Sequence, residues 1–190
     1  AGAGILLAPN GIEVLKRIDP LLLEQVKQRS NPINHMQVVT HKNKVLASSR
    51  LQGDQISYAI HRASLIDALA TQLPAELLHT NKRFDSFDEQ TTDVQVHVED
   101  GSQASGDLLV ATDGIHSKVR NQLIGNPTYR YAQQTCWRAI VPFKLPTEYQ
   151  HTFTEMWGNQ AGLRVGFGAI DNERLYFFAT YFTQAGGHDD

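Results

Sequence analysis

The stretch Asp107-Leu-Leu-Val-Ala-Thr-Asp113-Gly114-Ile-His-Ser117-Lys-Val-Arg120 sets one carboxylate and one glycine between two elements of different character. Leu108 to Ala111 is a short apolar run of the kind that forms a fully buried strand. Thr112-Asp113-Gly114 breaks it, and Asp-Gly is a turn dipeptide. Ser117 can cap a short helix with Val119 and Leu123 on one face, and Gly125 is placed to end it. A carboxylate at the carboxyl end of a buried strand stands where open α/β sheets bind ligands. The same residues also describe an ordinary strand-to-helix connection with a turn-forming aspartate.

Few other residues are spaced for chemistry. The eight histidines, His35, His41, His61, His79, His97, His116, His151 and His188, include no i, i+4 pair, and no Cys/His ligand set accompanies them. They read as surface or structural histidines, and no metal is expected. No Ser/His/Asp arrangement stands out, so no catalytic side chain is assigned. The single cysteine, Cys136, excludes an internal disulfide, suits a reducing compartment and reads as a buried apolar filler.

The elements that must position these residues follow from periodicity. Gly2-Ala3-Gly4 offers two glycines of a dinucleotide fingerprint, but the third would fall on Leu7 and no strand precedes it, so it reads as a loop. Pro9-Asn10-Gly11 opens a helix with Ile12, Leu15 and Ile18 on one face; Asp19-Pro20 breaks it, and Leu22 and Val26 continue a second piece. Met36 to Thr40 and Val45 to Ser49 form strands around a polar turn, and Tyr58 to Ile60 forms another. His61-Arg62 leads into a helix carrying Leu65, Ala68 and Leu69. Leu77 to His79 and Asn81 to Phe87 read as strands, and the alternation of Val94, Val96 and Val98 marks one more, turned at Asp100-Gly101 back toward Leu108. Beyond Pro127, Thr135 to Val141, Thr152 to Trp157, Leu163 to Ile170 and Leu175 to Phe182 predict an antiparallel sheet, with Asp171-Asn172 as a hairpin turn.

Composition narrows the function classes. The chain has 190 residues, 41% of them hydrophobic, which is enough for a packed core. A net charge of −3, without a long Lys/Arg cluster, argues against a nucleic-acid or anionic-membrane partner. No apolar run approaches membrane-spanning length and no signal-peptide pattern opens the chain, so a cytoplasmic location is expected. The start at Ala1 without methionine and the stop at Gly187-His188-Asp189-Asp190 suggest a trimmed protein or part of a longer one.

Three features in fixed order carry a resemblance: Gly4-Ile-Leu-Leu-Ala-Pro-Asn10-Gly with its helix, Ile60-His-Arg62 with its helix, and the Asp107–Arg120 stretch, followed by Cys136-Trp137-Arg138-Ala139. This succession resembles the FAD-dependent aromatic-ring hydroxylases, the single-component flavoprotein monooxygenases of the p-hydroxybenzoate hydroxylase fold. The resemblance runs from residue 1 to about residue 145. It implies a mixed α/β fold in which part of a Rossmann-like FAD domain (1–33 and 61–130) is interleaved with part of an antiparallel substrate-binding sheet (34–60 and 131–190). It implies an FAD cofactor, NAD(P)H as co-substrate, O₂ as oxidant and a small aromatic substrate, and it leaves a homodimer open.

By the same resemblance Arg62 reaches the FAD phosphate and ribityl region, and a guanidinium at a helix N-terminus suits an anion. Asp113 and Gly114 match a motif associated with the flavin and the incoming nicotinamide; Arg120 closes that motif, either at the cofactor or as a structural residue. Gly4 and Ile5 would pass near the flavin through their backbone. The substrate would lie between the flavin and the aromatic sheet, with lining candidates Trp157, Val165, Phe167 and Tyr176, besides Leu163 and Phe178. Arg164 alternates with Leu163 and Val165 and should face away from them; it could bind a carboxylate, but reads first as a solvated strand arginine.

The chain departs from the family pattern. Ala111-Thr112 replaces the usual glycine-alanine or glycine-cysteine. The glycine-rich phosphate loop should precede residue 1, and the second flavin motif, a Gly-Asp followed by Ala and His, should follow residue 190. Such a central piece is expected to bind FAD weakly or not at all by itself. A halogenase or reductase of the same superfamily, and a non-catalytic α/β binding domain, are the competing readings.

Overall fold

A computed structural model of the chain describes residues 3–186. Ala1, Gly2 and the Gly187–Asp190 end lie outside the described residues. The described residues divide into two compact units. One comprises the chain up to Leu73 and again from Tyr131; the other is Pro74–Arg130. These limits follow contact, whereas the division expected from the sequence followed cofactor and substrate roles.

In the first unit, β1 (Gly4–Leu7) leads into α1 (Pro9–Ile18). Pro9 suits a first turn, where its missing N–H costs nothing, and Pro20 ends α1 by forcing Asp19 into extended backbone. The Asp19 carboxylate then accepts from the Leu21 N–H at 2.8 Å and caps α2 (Pro20–Gln28). The chain continues through β2 (Ser30–Ile33), β3 (His35–Thr40), β4 (Val45–Arg50) and β5 (Ser57–His61) into α3 (Arg62–Ala70).

Two sheets result. The smaller has the order β1-β5-β2 and is antiparallel. Leu22, Val26 and Ala68 of the helices cover one of its faces, against Ile5, Leu7 and Ile60. Its other face presents Leu6, Ile33 and Ala59 to the larger sheet, where Met36, Ile140, Phe153, Ile170 and Tyr176 receive them. Ile33, Ile60, Ile170 and Val26 are the largest fully buried side chains, each contributing about 1.5–3 kcal/mol by leaving water. Buried Asn31 satisfies its amide by donating to the carbonyls of Gln150 (2.6 Å) and Ala169 (3.1 Å), which stitches β2 to the larger sheet.

The rest of the larger sheet comprises four strands after the interruption. They are β9 (Gln134–Pro142), β10 (Thr152–Trp157), β11 (Arg164–Ala169) and β12 (Arg174–Phe182). The sheet order is β4-β3-β10-β11-β12-β9. The expectation of an antiparallel sheet needs one correction: β3 and β10 pair in parallel, Met36 opposite Phe153. A parallel pair needs a long crossover, and here the whole of residues 41–151 connects the two strands.

In the second unit, β6 (Phe84–Glu89), β7 (Val94–Val98) and β8 (Gln103–Gly106) form a meander, and α4 (Lys118–Ile124) packs on β6. Gln122 clamps the Phe87 backbone, accepting from its N–H at 3.1 Å and donating to its carbonyl at 2.5 Å. Ser117 caps α4 by accepting from the Arg120 N–H at 3.0 Å, and Gly125 ends it at φ +84°.

Three expectations fail, and the bounds of two strands shift. Leu108 to Ala111 is not a buried strand: Leu108 is 78% and Val110 71% exposed, and no described strand pairs with the run. An apolar run becomes a buried strand only where neighbours offer backbone partners. Leu77 to His79 is not a strand, because Pro74 starts a 3₁₀ turn over Ala75–Leu77. The strand expected over Asn81 to Phe87 begins at Phe84, and the return strand is Gln103–Gly106, ending before Leu108. Gly4 is not loop but the first residue of β1, paired with His61.

Candidate functional site

In the first unit a cavity of about 380 Å³ lies between the β1 backbone and the larger sheet. Register defines its floor. Arg138, Phe178, Gly166 and Glu155 form one cross-strand row; Ile140, Tyr176 and Gly168 form the next, with the Phe153 ring against Gly168; Cys136, Thr180, Arg164 and Trp157 form a third. Glycine at the two β11 positions lets rings lie flat on the sheet. A Cβ at Gly166 would sit 2.1 Å from the Phe178 ring, and one at Gly168 would sit 2.7 Å from the Phe153 ring. The Phe153 and Phe178 rings stack with centroids 6.5 Å apart, and Tyr176 tilts beside Phe178 at 6.4 Å. The result is an aromatic floor beneath β1.

Among the described residues two cations reach this cavity, and no aspartate or glutamate lines it. Arg164 lies 3.4 Å from the Glu155 carboxylate, which also accepts from the Trp157 indole N–H at 2.7 Å. Arg138 donates through Nε to the Cys136 sulfur at 3.4 Å. Burial pushes the Tyr176 phenol above its ordinary range, so it stays a neutral donor.

The residues expected to bind substrate do not all meet here. Tyr176 and Phe178 line the cavity, as do Gly4 and Ile5, which were expected near the flavin. Trp157 shares the face but lies beyond the cavity, braced on Glu155. Val165 and Phe167 occupy the alternate β11 positions and so face the other side, where Phe167 borders a separate space with Val39, Leu145 and Met156. Arg164, read as a solvated strand arginine, lines the cavity, and Cys136, read as a buried filler, is exposed at its edge. The sequence reading missed Arg138. Its signal was the i, i+2 spacing of Cys136 and Arg138 on one strand.

Arg62 stands at the first position of nine-residue α3. Its N–H donates to the Ala3 carbonyl at 3.0 Å, beside the Gly4–His61 pair, so β1 and the start of α3 arrive together. Its side chain is exposed.

In the second unit, Asp113, Gly114, Ser117 and Arg120 border a shallow space of about 290 Å³. The Asp113 carboxylate accepts from the Lys118 N–H at 2.9 Å. The Ser117 side chain, with backbone amides of this loop and helix start, holds it below the usual carboxylate range. Gly114 has φ +82° and open space where a Cβ would be; its glycine serves the backbone conformation. The Arg120 guanidinium is bound internally, to the Ile115 carbonyl and to the Tyr129 hydroxyl at 3.0 Å, while its Nε is buried without a partner.

No family profile matches the chain. Individual proteins do. The 2-heptyl-3-hydroxy-4(1H)-quinolone synthase of Pseudomonas aeruginosa is 31% identical over 182 residues, covering 94% of this chain and 46% of that protein. The 6-hydroxynicotinate 3-monooxygenase of Bordetella bronchiseptica is 30% identical over 93% of this chain and 48% of its own length. Among solved structures, Klebsiella pneumoniae HpxO complexed with FAD and uric acid superposes with a TM-score of 0.80 and 25% identity, over 100% of this chain and 50% of that one. The homologues that match this chain are FAD-dependent aromatic hydroxylases and monooxygenases. It spans about half the length of the curated relatives it matches.

The exposed Arg62 guanidinium at a helix start fits a phosphate. The bare backbone at Gly114 leaves room for close approach of a ligand. Among the described residues no group of His, Cys, Asp and Glu is arranged to hold a metal. No described helix is long and apolar enough to cross a membrane.

Proposed function

We propose that the whole protein is an FAD-dependent monooxygenase that uses NAD(P)H and O₂ to hydroxylate a small aromatic or heteroaromatic ring. The observation that carries this is the aromatic-floored cavity beneath β1, in a chain homologous to hydroxylases of such rings. Bound FAD supplies the redox chemistry, accepting reducing equivalents from NAD(P)H and activating O₂. The protein's part is positioning. Arg62 pairs with cofactor phosphate. Gly4 and Ile5 present a backbone edge to the flavin side of the cavity. The Gly114 turn gives the cofactor an unobstructed approach, with Asp113 keeping that turn in place. Phe153, Tyr176 and Phe178 hold the substrate ring flat and keep water from it.

The test uses the protein expressed from its complete gene. It should carry FAD, and an aromatic substrate should raise both NAD(P)H oxidation and O₂ uptake. Arg62→Gln should weaken FAD binding about tenfold or more, since a hydrogen bond to a charged group contributes about 1.5–3 kcal/mol. A colourless protein that takes up no FAD overturns the proposal. Reduction without O₂ uptake, or halide incorporation, moves it to another reaction of the same superfamily.

A further inference from the structure

The aromatic floor ends at Phe153. This residue lines the ring cavity and also a second, mostly apolar space of about 260 Å³ over β3 and β4. Strand pairing puts both spaces on one face of the sheet. Phe153 stands opposite Met36, which stands opposite Ser49; Glu155 stands opposite Val38, which stands opposite Ala47. Residues directly opposite on neighbouring strands share a face. Strands lie about 4.8 Å apart, so Met36 and Val38 begin one strand beyond Phe153 and Ala47 lies two beyond. Glu155, at the border of the second space, is engaged by the Trp157 indole and Arg164.

The Phe153 ring is held from three sides. It lies over the bare backbone of Gly168, where an added Cβ would sit 2.7 Å from it. It stacks on Phe178 at 6.5 Å. It packs against the buried cluster of Ile33, Ala59 and Ile170. A side chain so packed keeps one position, since close-packed neighbours leave no room for another. Ala47 and Ser49, by contrast, are exposed, so the far space opens to solvent.

We infer that Phe153 is the specificity-determining residue that sets how long a substrate the protein takes. Its ring confines the substrate to the ring cavity and walls off the space over Met36, Val38 and Ala47. Cutting the Phe153 side chain back turns that space into a binding site for an apolar chain carried on the substrate ring. This rests on the cavity being the substrate side of a flavin enzyme. Each methylene fully buried in the opened space tightens binding by about fourfold. Behind an intact Phe153 a chain gains none of this, because it must first displace a packed ring.

The experiment is calorimetric titration of the complete protein with phenol and with 2-, 3- and 4-hexylphenol. In the wild type no hexylphenol should bind more than about twofold tighter than phenol. In Phe153→Ala phenol itself should weaken as it loses ring contact, yet at least one hexylphenol should bind ten times or more tighter than phenol. Phe153→Leu leaves a smaller hole and a sounder core, and should show the same change to a lesser degree. Adding Ala47→Trp to either variant fills the far space from an exposed strand and should return the hexylphenol-to-phenol ratio to near its wild-type value. A wild type that already prefers a hexylphenol more than about twofold, a ratio unmoved in the Phe153 variants, a gain that survives Ala47→Trp, or no binding of phenol at 10 mM overturns the inference. FAD content and substrate-free NAD(P)H oxidation, read on the same preparations, report separately on the flavin assignment. A yellow, reducible protein whose chain preference ignores Phe153 would refute the wall and leave the monooxygenase standing.

Discussion

Tyr176 lies directly against the backbone of Gly4: a Cβ added there would sit 2.5 Å from the Tyr176 Cγ. This contact joins the first strand to the aromatic floor, and only glycine permits it. Gly4→Ala should therefore destabilise the protein by about 1–3 kcal/mol, as overpacking does. Chemical denaturation checks this, and a double-mutant cycle assigns the cause. In a Tyr176→Ala background the same alanine should cost far less; an unchanged cost would show that the strain lies elsewhere.

The floor makes a parallel demand at Gly166, where an added Cβ would lie 2.1 Å from the Phe178 ring. Gly166→Ala should lift that ring off the sheet and, in the complete protein, raise KM for the proposed aromatic substrate at least several-fold, with a smaller change in kcat. Gly11, where an added Cβ meets nothing, is the control: Gly11→Ala in α1 should hold or raise stability by a few tenths of a kcal/mol and leave KM alone.

The β11–β12 hairpin turns on Asp171. Burial pushes its pKa up, but the amides of Glu173 and Arg174 and the Arg174 guanidinium outweigh that and leave it below the usual range. Its two oxygens accept from the Glu173 N–H (2.9 Å), the Arg174 N–H (2.7 Å) and Arg174 Nε (2.7 Å). Asp171→Ala removes all three acceptor contacts and should cost about 1–3 kcal/mol in thermal or chemical unfolding. Asp171→Asn keeps the amide contacts through one oxygen and should cost less.

Asp113 predicts an acid response. Its carboxyl is held below the usual range by Ser117 and by backbone amides including that of Lys118. A depressed carboxylate stabilises the fold above its unfolded pKa of about 3.9, and that contribution disappears as pH falls through the lower folded value. The amide resonances of Lys118 and Val119 should therefore shift on acidification with a midpoint below that of a free aspartate. Ser117→Ala should raise this midpoint and, through the lost cap, cost about 0.5–2 kcal/mol. A midpoint unmoved by Ser117→Ala would remove Ser117 from the account.

Much of the element order was legible without coordinates, because local rules govern it. The proline-opened helices, the Ser117 and Gly125 caps and the strands from Gln134 onward needed only capping, turn chemistry and alternation. Leu108 to Ala111 was misread for a physical reason: hydrophobicity reports a preference for burial, while a strand also needs backbone partners that the run itself does not contain.

For the candidate site, the sequence alone determined that Arg164 must oppose Val165 and that Cys136 must share a side with Arg138, since side chains alternate along a strand. It could not determine which side meets β1. Tertiary structure decided that through register and sheet packing: β1 crosses the face bearing Gly166, Gly168 and Tyr176, where missing β-carbons leave space for rings. That choice brought Arg138 and Arg164 to the cavity and turned Val165 and Phe167 away. Alternation is a property of one strand; the face a strand presents is settled only by the layer that packs upon it.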